Sequence, residues 1–143
     1  MLHFCMHNYK IVYQATDNLL RQAIALDNKV FNKWDAGNFD VCRRWLSINK
    51  DIYTFLLDGE KCVGYINFIR ISDKCFEEFR HGNMKDYNLQ NEDILPFEKG
   101  ENKCLFMSIA IDKDYRDTDA IICLRKGFDD KLNEFKKQGI FIK

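Results

Sequence analysis

Ser108-Ile-Ala-Ile-Asp-Lys-Asp-Tyr-Arg-Asp-Thr-Asp-Ala-Ile-Ile-Cys-Leu124 is the stretch on which the fold turns. Its first residues close an apolar run, Lys103 to Ile111, that reads as a strand and, being apolar almost throughout, as a central one. Asp112 to Thr118 is a polar turn. From Ala120 to Lys137, the residues Ile121, Leu124, Phe128, Leu132 and Phe135 recur at helical spacing and form one stripe. Gly139 stands where a C-terminal cap belongs, and Ile140 to Ile142 begins another strand. The first turn of a helix offers amide protons without intrahelical partners and the positive end of the helix dipole. A strand, turn and helix of this kind can therefore hold a phosphate.

Upstream, Lys61 to Ile71 alternates, with Val63, Tyr65, Asn67, Ile69 and Ile71 on one face and Cys62, Gly64, Ile66 and Phe68 on the other. Both faces are partly apolar, so the strand is expected inside the sheet. Asp58-Gly59 is a hairpin signal that joins it to a strand over Ile52–Leu57. Tyr9 to Ala15 reads as a first strand. Thr16-Asp17 then caps an amphipathic helix over Asn18–Phe31, and Asp40 caps a second, short helix through Leu46. Asp73 to Arg80 reads as a helical turn. His81 to Asn102 is polar and contains the only proline; a connection that long is usually functional or mobile. The order is β-α-α-β-β-loop-β-α-β, which predicts one α/β (α+β) domain over residues 1–143 with a mixed central sheet flanked by helices.

The 143 residues can bury a core, and twelve phenylalanines suggest one built from large rings. Lys plus Arg equals Asp plus Glu, and a chain without a basic excess is poorly suited to nucleic acid. No segment has the length of a membrane span and none reads as a signal peptide, so a cytoplasmic protein is expected. The six cysteines form no C-x-x-C pair and several sit in apolar patterns, which suggests reduced, buried thiols. His3, Cys5 and His7 share one face of an extended segment but lack a fourth ligand, and no metal site is expected. Cys104 and Cys123 have no neighbouring histidine in sequence to activate them.

The phrase Ile109-Ala110-Ile111-x-x-x-Tyr115-Arg116, followed by the helix through Leu124, resembles the signature of the GNAT-type N-acetyltransferases, approximately L-A-V-x-P-x-Y-R-G-x-G-I-G. The hairpin Phe55 to Ile66, with its acidic-Gly turn and Val63-Gly64 pair, is similar to that family's second and third strands. The element order matches the family's first five strands, which covers almost the whole chain. The resemblance implies that acetyl-CoA, or another acyl-CoA, binds and that its acyl group passes to a small-molecule or protein amine. It places the pantetheine arm on the backbone of Ile109, Ala110 and Ile111. It places the pyrophosphate on the turn Arg116, Asp117, Thr118, Asp119, Ala120 and Ile121. It also implies that the loop holding Trp34, Asp35 and Phe39 lines the acceptor site.

Three departures from the pattern bear on this expectation. Asp117, Asp119 and Ile121 stand where the family has glycine. A carboxylate about 6 Å from a phosphate charge costs ~2–3 kcal/mol at an effective dielectric near 20, and Asp119 can itself cap the helix. Leu105 stands where some members carry a glutamate base, which leaves Glu98 and Glu101 as candidates. The family's closing helix and two strands have no counterpart here. A catalytically inactive interaction module, possible as a homodimer through an unpaired strand edge, is the alternative reading. A sensor with residues 81–102 as its lid is a third.

Overall fold

Along the chain run β1 (Tyr9–Val12), α1 (Asp17–Phe31), α2 (Phe39–Ile48), β2 (Tyr53–Asp58), β3 (Lys61–Ile71), α3 (Asp73–Arg80), β4 (Ile94–Leu95), β5 (Gly100–Asn102), β6 (Cys104–Ile111), α4 (Ala120–Lys137) and β7 (Ile140–Ile142). The computed structural model describes residues 8–31, 39–85, 88–116 and 119–143. The expected α/β fold and element order are present, the helical turn over Asp73–Arg80 is the two-turn helix α3, and β4 and β5 are added within the long connection before β6. The caps follow local chemistry: the Thr16 hydroxyl accepts from the Leu19 amide at 3.1 Å, and Ser72 does the same for Cys75 at 3.2 Å.

The main sheet runs β1-β2-β3 antiparallel, and β3 then pairs with both β4 and β6. The hairpin turn is Gly59-Glu60, with Gly59 at φ 63°, so Asp58 pairs with Lys61 and closes the ladder. A bulge puts Val63 opposite the step between Leu56 and Leu57. Val63 therefore joins Ile66 and Phe68 beneath α4, while Cys62 joins Tyr65 and Ile69 beneath α1, the reverse of what strict alternation predicts for those two residues.

Two cores result. Leu20, Ala23, Phe55, Tyr65 and Ile69 fill the space between the sheet and α1 with α2. Leu56, Val63, Phe68, Leu124 and Phe128 fill the space under α4. The inward face of α4 is Ala120, Cys123, Leu124, Gly127, Phe128, Lys131 and Phe135, whereas Ile121, expected inside, is 39 % exposed. Gly127 lets β1 approach closely. A Cβ there would lie 2.6 and 2.7 Å from two side-chain carbons of Ile11, so the Ile11 side chain packs directly on the α4 backbone. Gly127→Val is expected to lower the unfolding free energy by about 2–3 kcal/mol, read as a shifted urea midpoint at unchanged slope.

Cys42, Cys62, Cys75 and Cys104 are free. Burial pushes the Cys62 thiol up to about 11 and the Cys104 thiol up to about 12, which makes both unreactive. Cys123 is disulfide-bonded, contrary to the expectation of reduced thiols. Among the described residues, no helix is long and apolar enough to cross a membrane.

Candidate active site

β6 is not central. It pairs with β3 from Gly64↔Ile111 to Arg70↔Cys104, and its other edge meets β7 only at its beginning. There β5 pairs in parallel with β7, from Gly100↔Ile140 to Asn102↔Ile142, and the Cys104 amide donates to the Lys143 carbonyl at 3.2 Å. Beyond Cys104, no strand among the described residues pairs with this edge. The run is apolar because its side chains face α1 and α4, while its backbone stays open on one side.

Backbone direction along β6 follows from two bonds. The Asp112 amide donates to Val63 of β3 at 2.8 Å, so the peptide groups of Ile111 and Ile109 point to the open edge and those of Ala110 toward β3. A second bulge lies at Met107, between the pairs Asn67↔Ser108 and Phe68↔Phe106. Met107 and Ser108 consequently both face the α1 side.

The turn after β6 is braced from below. Asp112 accepts from the Asp114 amide at 3.0 Å and pairs with Lys29 at 3.4 Å and Lys61 at 3.9 Å. Burial alone would raise its carboxyl, but the Asp114 amide and the two lysines more than offset that and hold it below the usual range. The Tyr115 hydroxyl donates to Asp58 at 2.7 Å and locks the turn to the hairpin. Asp119 is the N-cap residue of α4, yet its side chain makes no capping hydrogen bond to that helix. The Arg116 amide donates to Lys113 at 3.4 Å and its side chain is exposed. Ala120 is fully buried. Asp117 and Thr118 lie outside the described residues, as do Trp34, Asp35, His3, Cys5 and His7; Phe39 stacks under the Arg21 guanidinium at 3.8 Å.

Glu98 and Glu101 are exposed and ion-paired, to Arg70 at 3.1 Å and Lys143 at 3.4 Å. Arg70 is opposite Cys104, about three residues or 10 Å along β6 from the Met107 bulge. The structure does not bring either glutamate to that bulge. What reaches it is a set the sequence did not single out. The Ser108 hydroxyl donates to the Tyr65 hydroxyl at 3.0 Å, and Tyr65 donates to an Asp27 carboxylate oxygen at 2.6 Å. Burial, and then the bond to Asp27, hold the Tyr65 phenol far above its ordinary pKa, so it stays a neutral donor. Asn67, opposite Ser108, has a buried side-chain oxygen with no hydrogen-bond partner. A cleft of ≈ 860 Å³ lies elsewhere, at the C-terminal end of α4 beside Tyr13, Lys131 and Glu134.

An open-edged strand running into a helix, backed by an antiparallel sheet and two helices on the far face, is a GNAT-type fold. The solved structures that share it include a GCN5-related N-acetyltransferase from Anabaena variabilis, 13% identical at TM-score 0.53, covering 93% of this chain and 27% of that one. The GNAT-like decarboxylase GphF, in complex with isobutyryl-CoA, is 16% identical at TM-score 0.55 and covers 82% of this chain and 56% of that one. A chain from Clostridium difficile, described as a possible acetyltransferase, is 15% identical at TM-score 0.52, with 94% and 76% covered. This chain thus spans about a quarter and about half of the first two. No family model matches it, and no curated protein matches it by sequence. At such identities the likeness establishes the fold.

Proposed function

We propose that the protein binds an acyl-CoA along the open edge of β6 and transfers the acyl group to an amine. The observation that carries this reading is the outward-facing backbone of Ile109 and Ile111, which ends at the braced turn before α4. A pantetheine arm carries amide groups and pairs with such an edge as a strand would. The diphosphate then falls at the start of α4, where the positive end of the helix dipole favours it. Lys29 and Lys61 add positive charge near the turn. Acetyl-CoA is the first donor to test. The fold's occurrence with isobutyryl-CoA in GphF makes a branched acyl-CoA the second.

Ile109→Pro provides a direct test. It removes an outward N–H that the β3 ladder does not use, so the variant is expected to keep its thermal stability. Its affinity for acetyl-CoA should fall about tenfold in calorimetry, the worth of one good hydrogen bond. Absence of any heat with wild-type protein and either acyl-CoA would sink the reading.

Pairing with a second copy is the alternative use of this edge. Phe106 is 57 % and Phe141 is 50 % exposed along it, which suits an apolar contact. Sizing in solution separates the two. A stable dimer that acetyl-CoA leaves intact favours the interaction module, and a monomer that transfers acyl groups excludes it.

A further inference from the structure

We infer that Ser108, Tyr65 and Asp27 form a proton path that deprotonates the acceptor amine, with Asn67 holding that amine in place. This rests on the acyl-CoA reading above and goes beyond it by assigning the acid–base work. The three groups come from β6, β3 and α1, and each bond points the same way, from the open edge toward a half-buried carboxylate. Each donated hydrogen is already aimed at the next oxygen, so one proton entering at Ser108 displaces one at each step. Tyr65 is 2 % exposed, which shields the middle of the path from water. A hydroxyl so placed has one lone pair left for a ligand at the bulge. The independent observation is Asn67. A buried carbonyl oxygen without a partner costs stability unless something fills it, and its neighbour across the ladder is Ser108. A primary ammonium has the donors to satisfy both.

The chemistry balances. An ammonium donates one N–H to Asn67 Oδ1 and gives a second proton to Ser108 Oγ. The Ser108 proton moves to Tyr65 Oη, and the Tyr65 proton moves to Asp27, which releases it to solvent. The freed lone pair on nitrogen attacks the thioester carbonyl carbon, a C–N bond forms, and the C–S bond breaks with its electrons on sulfur. The nitrogen's surplus proton ends on that sulfur, giving an amide and a free thiol. Ser108 is the one catalytic residue in this scheme, because it alone of the three touches the amine. Tyr65 and Asp27 act through it.

The test uses the full chain with acetyl-CoA and two probe acceptors, n-propylamine and hydroxylamine. The alkylamine is protonated near neutral pH and needs the path; hydroxylamine is already neutral and does not. Asp27→Asn, Tyr65→Phe and Ser108→Ala should each lose about a hundredfold in turnover of the alkylamine while acetyl-CoA affinity stays unchanged. With hydroxylamine the losses should be about tenfold smaller, a split that a merely structural role would not produce. The triple variant should be no worse than one single variant, and Ser108→Thr, which keeps the hydroxyl, should retain activity even if Tyr65→Phe folds poorly. Equal losses with both acceptors, or none, overturn the path and leave the acyl-CoA reading standing. Wild-type protein that binds acetyl-CoA but acylates neither amine also overturns the path. Wild-type protein that does not bind acetyl-CoA overturns both.

Discussion

Asn102→Ala is expected to lower the unfolding free energy by about 3 kcal/mol and to loosen β7 from the domain. Asn102 is fully buried and polar. Its amide nitrogen donates to the carbonyls of Glu98 at 2.8 Å, Gly100 at 2.9 Å and Phe141 at 3.3 Å, and its oxygen accepts from the Glu98 amide at 3.0 Å. One side chain thus holds the approach to β6 in shape and fastens it to the last strand. Alanine would strand several of those backbone groups out of water, which costs more than the bonds themselves return. Asn102→Asp is nearly isosteric but cannot donate to three carbonyls, so it should behave like alanine. Urea unfolding gives the loss, and faster hydrogen exchange at Ile140 to Ile142 locates it. A loss below about 1 kcal/mol would mean that water repairs the site.

Lys131→Met is expected to change how stability depends on pH, with the larger effect on the alkaline side. Lys131 lies on the inward face of α4 and is 6 % exposed. Its ammonium donates to the carbonyls of Asp51 and Tyr53 and approaches Thr54 Oγ1 at 3.5 Å, with the Tyr53 bond at 3.0 Å and the Phe68 ring centroid at 5.5 Å. Burial pushes its pKa down to about 8, against a weaker pull upward from Asp51. The folded chain therefore releases this proton near pH 8 and the unfolded chain only near 10.5. Between those values the unfolded state binds more protons, so stability rises with pH. From about pH 7 to about pH 9 the wild type should gain ~1.3 kcal/mol relative to Lys131→Met. The comparison must be a difference between the two proteins. The raised Cys62, Cys75 and Cys104 thiols act in the opposite sense above pH 9, because the folded state holds their protons longer. Parallel urea series at the two pH values decide it, and coincident profiles would show that Lys131 does not titrate in this range.

The helices and the hairpin were legible because their signals are local. Thr16 caps α1, Gly59 takes the turn, and the 3.6 period of α4 is unbroken. Burial was harder to read. An apolar run says that two faces are covered and nothing about the edges, so β6 looked central although one edge is open. On α4 the period was right, and Leu124, Phe128, Leu132 and Phe135 face the core as expected, while Ile121 does not. Close contact with Ile11 selects Gly127, and Lys131, a charged residue outside the apolar stripe, is held by carbonyls from β2 and the loop before it. The candidate site divides the same way. Ile109 and Ile111 sit in one contiguous segment and could be named from it. Asp27, Tyr65, Asn67 and Ser108 come from three elements, and no spacing within the chain links them before the sheet assembles.

The extra residue at Met107 sets the phase of β6. Drawing it into a regular ladder would turn the first half of the strand over: Phe106, whose ring lies 5.4 Å from Phe128, would swing toward α1, and Leu105 would turn to the α4 side in its place. Deleting it would instead leave an unbroken two-residue repeat with every other side chain on its present face. The strand therefore accepts its extra residue only as a bulge, and many side chains can stand at 107 so long as that position stays out of the ladder.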